Sequence, residues 1–298
     1  MTERPPFPRP LIAAETLALF LADPRLRIAD VRWYLGRPGD GRAAYDAGHL
    51  PGAMFLDLDA DLAGPTRPDG VGGRHPLPDP ATFARRLGAA GIGDDSLVVA
   101  YDDTAGTVAS RLWWMLDNLG FTNVTVLDGG VAGWAASGGG NVTEVPGLPA
   151  ATLHLREQWT HVVNRDELRS RLGTLTLLDA RAAPRYRGEV EPVDAYPGHI
   201  PTALNAPTDG NLDPATGRFL PPDALRERYA SLFAARGDVV LSCGSGVSAA
   251  HDSLAMRIAG LPDPSLYPGS WSDWSRSGYP AATGPEPGPP EDARAARD

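Results

Sequence analysis

The sequence predicts an α/β fold in which one domain plan is used twice, each copy a mainly parallel sheet flanked by helices. Two observations carry this prediction: the chain repeats itself once, and within each repeat short apolar runs alternate with helix-periodic stretches. Asp30-Val-Arg32 returns as Asp179-Ala-Arg181, and Gly48-His-Leu-Pro-Gly-Ala53 as Gly198-His-Ile-Pro-Thr-Ala203. Val98-Val-Ala-Tyr-Asp102 lines up with Val239-Val-Leu-Ser-Cys243, and Gly129-Gly-Val-Ala-Gly-Trp134 with Gly269-Ser-Trp-Ser-Asp-Trp274. Four matches in one order indicate a duplicated domain, with a period far too long for a solenoid.

Each element has its own signal. Strand candidates 27–31, 53–56, 97–101 and 124–127 recur as 175–179, 203–206, 238–242 and 265–267. They are short, apolar and in places β-branched, which suits parallel strands buried on both faces. A helix over 80–90 opens with Pro80 after Asp79, a start signal. A helix over 107–119 carries Val108, Leu112, Met115, Leu116 and Leu119 on one face, and stretches 222–234 and 247–259 follow suit in the second half. Trp134, Trp271 and Trp274 follow glycine turns at short helices, where their apolar area predicts core packing, with Trp271 also a candidate for the border of a cleft. The expected domains are 1–140 and 161–282. Between them lies a linker over 141–160, marked by its glycine- and proline-containing start at 141–149. The Pro/Gly-rich, charged tail 283–298 is expected to be disordered.

Composition narrows the function. The chain has 298 residues, 42% hydrophobic and 21% charged, the ordinary make-up of a soluble protein of two domains. No apolar run approaches the roughly 20 residues of a membrane helix. The opening Met1-Thr-Glu-Arg-Pro-Pro lacks the basic-then-apolar order of a secretory signal, so a cytoplasmic location is expected. A net charge of -10 argues against nucleic acid as a partner. All 27 basic residues are arginine, part of an Ala-, Gly- and Pro-rich bias to which no function attaches. One cysteine, and six histidines without short ligand spacings, predict no disulfide, no metal and no other cofactor.

That one cysteine sits in the most informative segment, Val239-Val-Leu-Ser-Cys243-Gly-Ser-Gly-Val-Ser-Ala249. A strand-like run ends at Cys243 and a helical pattern begins just beyond it. At such a strand-to-helix turn, N–H groups of the loop and the helix start converge and favour an anion, here a thiolate. Gly244 and Gly246 let the backbone curl close to the sulfur. A lone cysteine is more often a buried apolar residue. A structural cysteine, however, does not require two glycines beside it, and its repeat partner is the polar Asp102.

The halves resemble tandem rhodanese domains, and Cys243-Gly-Ser-Gly-Val-Ser-Ala249 is similar to the loop of 3-mercaptopyruvate sulfurtransferases, with Ser248 where these usually have threonine. The resemblance covers roughly residues 10 to 282 and implies sulfur transfer through a persulfide on Cys243. The Cys243 thiolate takes the outer sulfur of a small-molecule donor. The N–H groups of Gly244, Ser245, Gly246, Val247 and Ser248 hold its charge, and a thiol, a thioredoxin-like protein or cyanide removes it. The first domain, with Asp102 at the cysteine's place, is expected to be inactive. The resemblance further implies that Arg185 binds the donor's anionic end, for which a planar guanidinium is suited. Arg187 is a second candidate, since neither arginine has a repeat partner, whereas Arg181 matches Arg32 and reads as structural. Ser245, His75 and Asp59 match residues proposed to relay a proton in the family. His49 and His199 occupy equivalent repeat positions and read as structural. The chain departs from the family where a second donor-binding arginine usually precedes the Gly-His-Ile-Pro segment: Glu189-Val-Glu-Pro-Val-Asp194 stands there.

The alternatives are a thiosulfate sulfurtransferase, a non-catalytic sulfur-carrier or binding module, and a phosphatase or arsenate reductase with a Cys-x5-Arg loop. The last lacks its arginine, since position 249 is alanine. Thiosulfate is a dianion that favours cations straight after the cysteine. The neutral Gly244, Ser245 and Gly246 point instead to 3-mercaptopyruvate, whose single carboxylate lies away from its sulfur.

Overall fold

The apolar runs become the strands of two parallel sheets in a computed structural model that describes residues 10–232 and 237–290. In the first half these are β1 (Leu11–Ile12), β2 (Leu26–Asp30), β3 (Ala53–Phe55), β4 (Leu97–Tyr101) and β5 (Val124–Leu127), in the order β1-β5-β4-β2-β3. The second half has β6 (Thr176–Asp179), β7 (Ala203–Asn205), β8 (Val239–Ser242) and β9 (Ser265–Leu266), in the order β7-β6-β8-β9. Every pair is parallel, and the order of the last four strands of the first sheet is repeated in the second. The counterpart of β1 shrinks to a single parallel bridge from Val162 to Leu266. All five residues of β4 and all four of β6 are buried, which is why these runs carry no polar alternation.

The helices of the first half are α1 (Ala14–Phe20), α2 (Asp40–Ala47), α3 (Pro80–Ala89), α4 (Ala109–Asn118) and α5 (Gly130–Ala136). Those of the second are α6 (Arg165–Arg171), α7 (Ala183–Tyr186), α8 (Pro222–Leu232), α9 (Ala249–Ile258) and α10 (Ser270–Trp274). The Asp79 carboxylate caps α3 by accepting the Thr82 N–H at 2.9 Å, ahead of Pro80 at the first helical position. The last two residues expected in the 222–234 helix lie outside the described residues, as do 291–298 of the expected tail and the opening Met1-Thr-Glu-Arg-Pro-Pro. Among the described residues no helix is long and apolar enough to cross a membrane.

Two compact units result, each with its own core, and their boundaries depart from the division expected at the linker. The first unit runs to Leu62 and includes Asp79–Trp159 and Thr216–Arg218. The second takes Ala63–Pro78, Thr160–Ala215 and the chain from Phe219. Ala63–Pro78 is anchored there at Gly73, whose φ of +77° suits glycine and where a Cβ would lie 2.5 Å from both Gly269 O and Ser272 Oγ. The next residue, Arg74, donates its backbone N–H to Ser272 Oγ at 3.1 Å.

The repeated motifs are structural clamps built twice. Arg32 makes a forked pair with Asp30 and donates to Gly48 O at 2.8 Å; Arg181 does the same with Asp179 and with Gly198 O at 2.7 Å. His49 stacks on Tyr45 and exchanges backbone hydrogen bonds with Val142, while its ring meets Tyr45 O and Glu144 O. His199 stacks on Tyr186, exchanges backbone hydrogen bonds with Ala282, and its ring meets Tyr186 O and Glu286 O. Three residues of the tail expected to be disordered have hydrogen-bond partners: Glu286 O meets the His199 ring, Thr202 N–H donates to Pro287 O, and Gly284 N–H to Arg187 O. The physical reason is the duplication itself, which sets this segment against His199 as the start of the linker is set against His49.

Candidate active site

The strand order locates the site. From β6 the chain steps outward to β7, then crosses back to β8 on the other side, so β6 and β8 flank the switch point at whose carboxyl ends such sheets bind ligands. Cys243 follows β8 directly, and Arg181 and Arg185 follow β6.

Cys243 is 1% exposed, and its backbone is held on both sides. Its N–H donates to Ser270 Oγ at 3.0 Å, and its carbonyl accepts the Trp271 N–H at 3.0 Å. The Gly246 N–H points at the sulfur, 3.1 Å from Sγ. Gly246 has a φ of +74°, and a Cβ there would lie 2.5 Å from Pro268 O, so the turn that delivers this N–H requires glycine. The Ser270 hydroxyl donates to Tyr267 O at 2.8 Å; with its one proton so used, its 4.0 Å approach to Sγ is a contact rather than a donated bond. Ser248 precedes α9 without a side-chain cap, and Val247 O accepts the Ala250 N–H.

The same loop in the first unit holds a carboxylate. Asp102, fully buried, accepts the N–H groups of Thr104 and Gly106 on Oδ1 and of Val108 and Ala109 on Oδ2, at 2.8–2.9 Å. Burial raises its pKa above the ordinary carboxylate value, while the N–H bonds from Ala109, Gly106, Thr104 and Val108 pull the other way. Gly106 and Gly246 play one part: each turns its N–H onto the side chain that ends the strand. The loop thus turns four N–H groups onto a carboxylate in the first unit and the Gly246 N–H onto a thiol in the second.

Around Cys243 the second unit gathers most of the expected residues. His75 Nδ1 lies 2.8 Å from Ser245 Oγ, and both side chains are buried. Asp59, expected to extend this pair, belongs to the first unit, where it accepts the Trp33 indole N–H at 2.9 Å. Arg185 reaches Gly244: its Nη1 lies 3.5 Å from where a Cβ on Gly244 would be. Arg187 does not share this position in the structure and pairs at the surface with Glu189 at 2.7 and 2.9 Å. The arginine beside Arg185 is instead Arg74, whose Nη2 is 3.3 Å from the same point. Two buried acids hold the pair: Arg185 binds Glu191 at 2.7 Å and Asp194 at 3.2 Å, and Arg74 binds Asp194. Burial pushes Asp194 above the ordinary carboxylate value, against the pull of Arg74.

Sequence reasoning missed Arg74, Ser270 and Ser272. The repeat carried a signal for the two serines, because the second copy has polar residues where the first has Gly130 and Ala132. Ser270 keeps the left-handed conformation of Gly130, with φ of +51° against +52°, and uses its hydroxyl on the Cys243 N–H. Ser272 donates its N–H to Gly244 O at 2.8 Å and accepts from the Arg74 N–H.

Comparison with known proteins supplies the family. A rhodanese-like domain matches residues 13–137 and again 164–277. A Pseudomonas aeruginosa protein provisionally named a 3-mercaptopyruvate sulfurtransferase is 45% identical, covering 92% of this chain and 98% of its own. A Mycobacterium tuberculosis protein provisionally named a thiosulfate sulfurtransferase is 40% identical over 89% of this chain and 93% of its own. Among solved structures, the 3-mercaptopyruvate sulfurtransferase from Leishmania major is similar with a TM-score of 0.79 and 30% identity, over 92% of this chain and 76% of that one. With both halves matched and the sheet order shared between them, the chain belongs to the rhodanese family of sulfurtransferases.

Proposed function

We propose that the protein takes the sulfur of 3-mercaptopyruvate onto Cys243 as a persulfide and passes it to a thiol, a thioredoxin-like protein or cyanide. The Cys243 thiolate attacks the donor's sulfur and the S–C bond breaks, its electron pair going to carbon as the enolate of pyruvate. The proton that left the donor's thiol is the one the enolate needs, and its transfer is assigned to the Ser245 hydroxyl, a reading supported by His75 Nδ1 at 2.8 Å from it. The Gly246 N–H and its neighbours in the loop meet the charge on sulfur. An acceptor then attacks the outer sulfur and regenerates the thiolate, a ping-pong cycle.

The observation that carries the choice of donor is the buried His75–Ser245 contact at 2.8 Å. Pyruvate enolate must collect a proton, whereas the sulfite left by thiosulfate need not. The neutral loop, read in the sequence as unfavourable to thiosulfate, does not decide the matter. Arg74 and Arg185 bring cations to Gly244 from other segments, and thiosulfate is the second reading because the Mycobacterium tuberculosis relative is named for it. Two measurements test the proposal. Mass spectrometry is expected to find an added sulfur on Cys243 after exposure to 3-mercaptopyruvate, with Cys243→Ser inactive yet folded. The value of kcat/KM is expected to be higher for 3-mercaptopyruvate than for thiosulfate with one acceptor; the reverse order hands the role to the second reading.

A further inference from the structure

The acidic stretch 189–194 occupies the place where a second donor-binding arginine was expected, and its acids have a use of their own. The Glu191 and Asp194 side chains are 3% and 0% exposed, and they orient Arg185 and Arg74 rather than face solvent. Arg74 gives Nη1 to Asp194 and turns Nη2 towards Gly244, to the same point that Arg185 approaches with Nη1. The Nε atoms of both arginines are buried without a hydrogen-bond partner among the described residues. Two guanidinium groups thus converge beside the cysteine loop, Arg74 through Nη2 and Arg185 through Nη1, and donors gathered at one point favour an anionic acceptor there. Ser272 fixes the arrangement, because it bonds the backbone of Arg74 through its hydroxyl and that of Gly244 through its N–H.

We propose that Arg74 is a donor-binding residue, which with Arg185 forms a two-pronged subsite for the single carboxylate of a thiol donor, with Asp194 and Glu191 as fixed counter-charges. The proposal rests on the reading that Cys243 takes its sulfur from an anionic donor. The charges give the subsite its selectivity. Two guanidinium groups and two carboxylates cancel, so a monoanion leaves one net negative charge and a dianion leaves two. In a partly desolvated cleft the second charge is opposed by Asp194 and Glu191. Gly244 is part of the design, since any side chain there meets both arginines.

Steady-state kinetics on the full chain, with 3-mercaptopyruvate and a fixed thiol acceptor, test this. Arg74→Gln is expected to raise the donor KM about tenfold or more and leave the acceptor KM unchanged. Arg74→Lys, which keeps the charge but loses the fork, is expected to recover part of the loss; it decides the question if the glutamine variant does not fold, an unchanged donor KM overturning the proposal. The double change Arg74→Gln with Asp194→Asn separates binding from neutralisation. A donor KM that stays high supports the subsite, and a return to the wild-type value shows that Arg74 merely neutralises Asp194 and overturns it. Asp194→Asn alone is expected to shift the kcat/KM ratio several-fold towards thiosulfate. Wild-type protein that takes sulfur only from thiosulfate overturns the donor reading instead, and the same variants, read with thiosulfate, then decide Arg74.

Discussion

Asp102 and Cys243 stand at the same corner of two copies of one loop, a carboxylate in the first and a thiol in the second. Asp102 satisfies four N–H groups and needs no ligand. Cys243 presents a thiol at that corner, onto which the Gly246 N–H is turned. Asp102→Ala is therefore expected to leave kcat within about twofold while removing roughly 2 kcal/mol or more of stability, because several buried donors lose their acceptor together. Denaturant unfolding and turnover measured on the same sample check this; lost turnover at unchanged stability would give the first unit a direct part in the chemistry. At this scale much was legible. The two glycines that shape the turn follow Cys243 within three residues, and Arg185 stood out by having no repeat partner. Arg74 was not legible, because its role depends on a fold that seats Ala63–Pro78 with the second unit, and nothing in its local sequence reports that.

The strands were legible to within one or two residues, since parallel strands buried on both faces must be continuous apolar runs. The longer helices were legible from their periodicity. The shorter elements were not. β1 is two residues long, α7 is a single turn of four, and α2 has only Gly41 and Tyr45 buried, so none shows a full apolar period. The loop between β8 and α9 carries a finer message in its length. Asp102 stands seven residues before Ala109, which opens α4, whereas Cys243 stands six before Ala249, which opens α9. The first copy has both Ala105 and Gly106 at positive φ where the second has Gly246. The shorter turn depends on that glycine. Gly246→Ala is expected to cost about 1–3 kcal/mol, from the left-handed backbone and from the approach to Pro268 O. It is also expected to lower kcat more than tenfold by moving the N–H off the sulfur. Alanine tolerated with full kcat would show that another donor holds the sulfur's charge.

For the molecule as a whole, the repeat predicted two domains of one plan but not where the chain is shared between them. The exchange of Ala63–Pro78 rests on the contacts of Gly73 and Arg74 with α10, which are tertiary and leave no periodic trace. Stability across pH is likewise a property of the assembled fold. In the second unit Asp252 is fully buried on α9, accepts the Asn211 amide at 2.7 Å, and lies in a network with His251, Arg228 and Tyr229. Burial pushes its carboxyl up to about 7, against the Asn211 bond and the charge of Arg228. In the unfolded chain the group titrates near 3.8, so between about 4 and 7 the folded protein keeps a proton that the unfolded chain has released. Asp252 therefore contributes stability that is fully present below the lower value and is lost as pH rises to the upper one. Buried His199 acts in the opposite sense: burial lowers its pKa, so the fold keeps the ring neutral and is weakened as pH falls below the ordinary histidine value. The two effects overlap in acid, and Asp252→Asn separates them, because asparagine keeps the Oδ1 acceptor for Asn211 but cannot titrate. The variant minus wild-type difference in unfolding free energy, measured in urea at a series of pH values, is expected to rise from about pH 4 to 7 and then level off. A difference that stays flat over that range would show that Asp252 is already ionised in the fold at low pH, with the Asn211 and Arg228 contacts outweighing its burial.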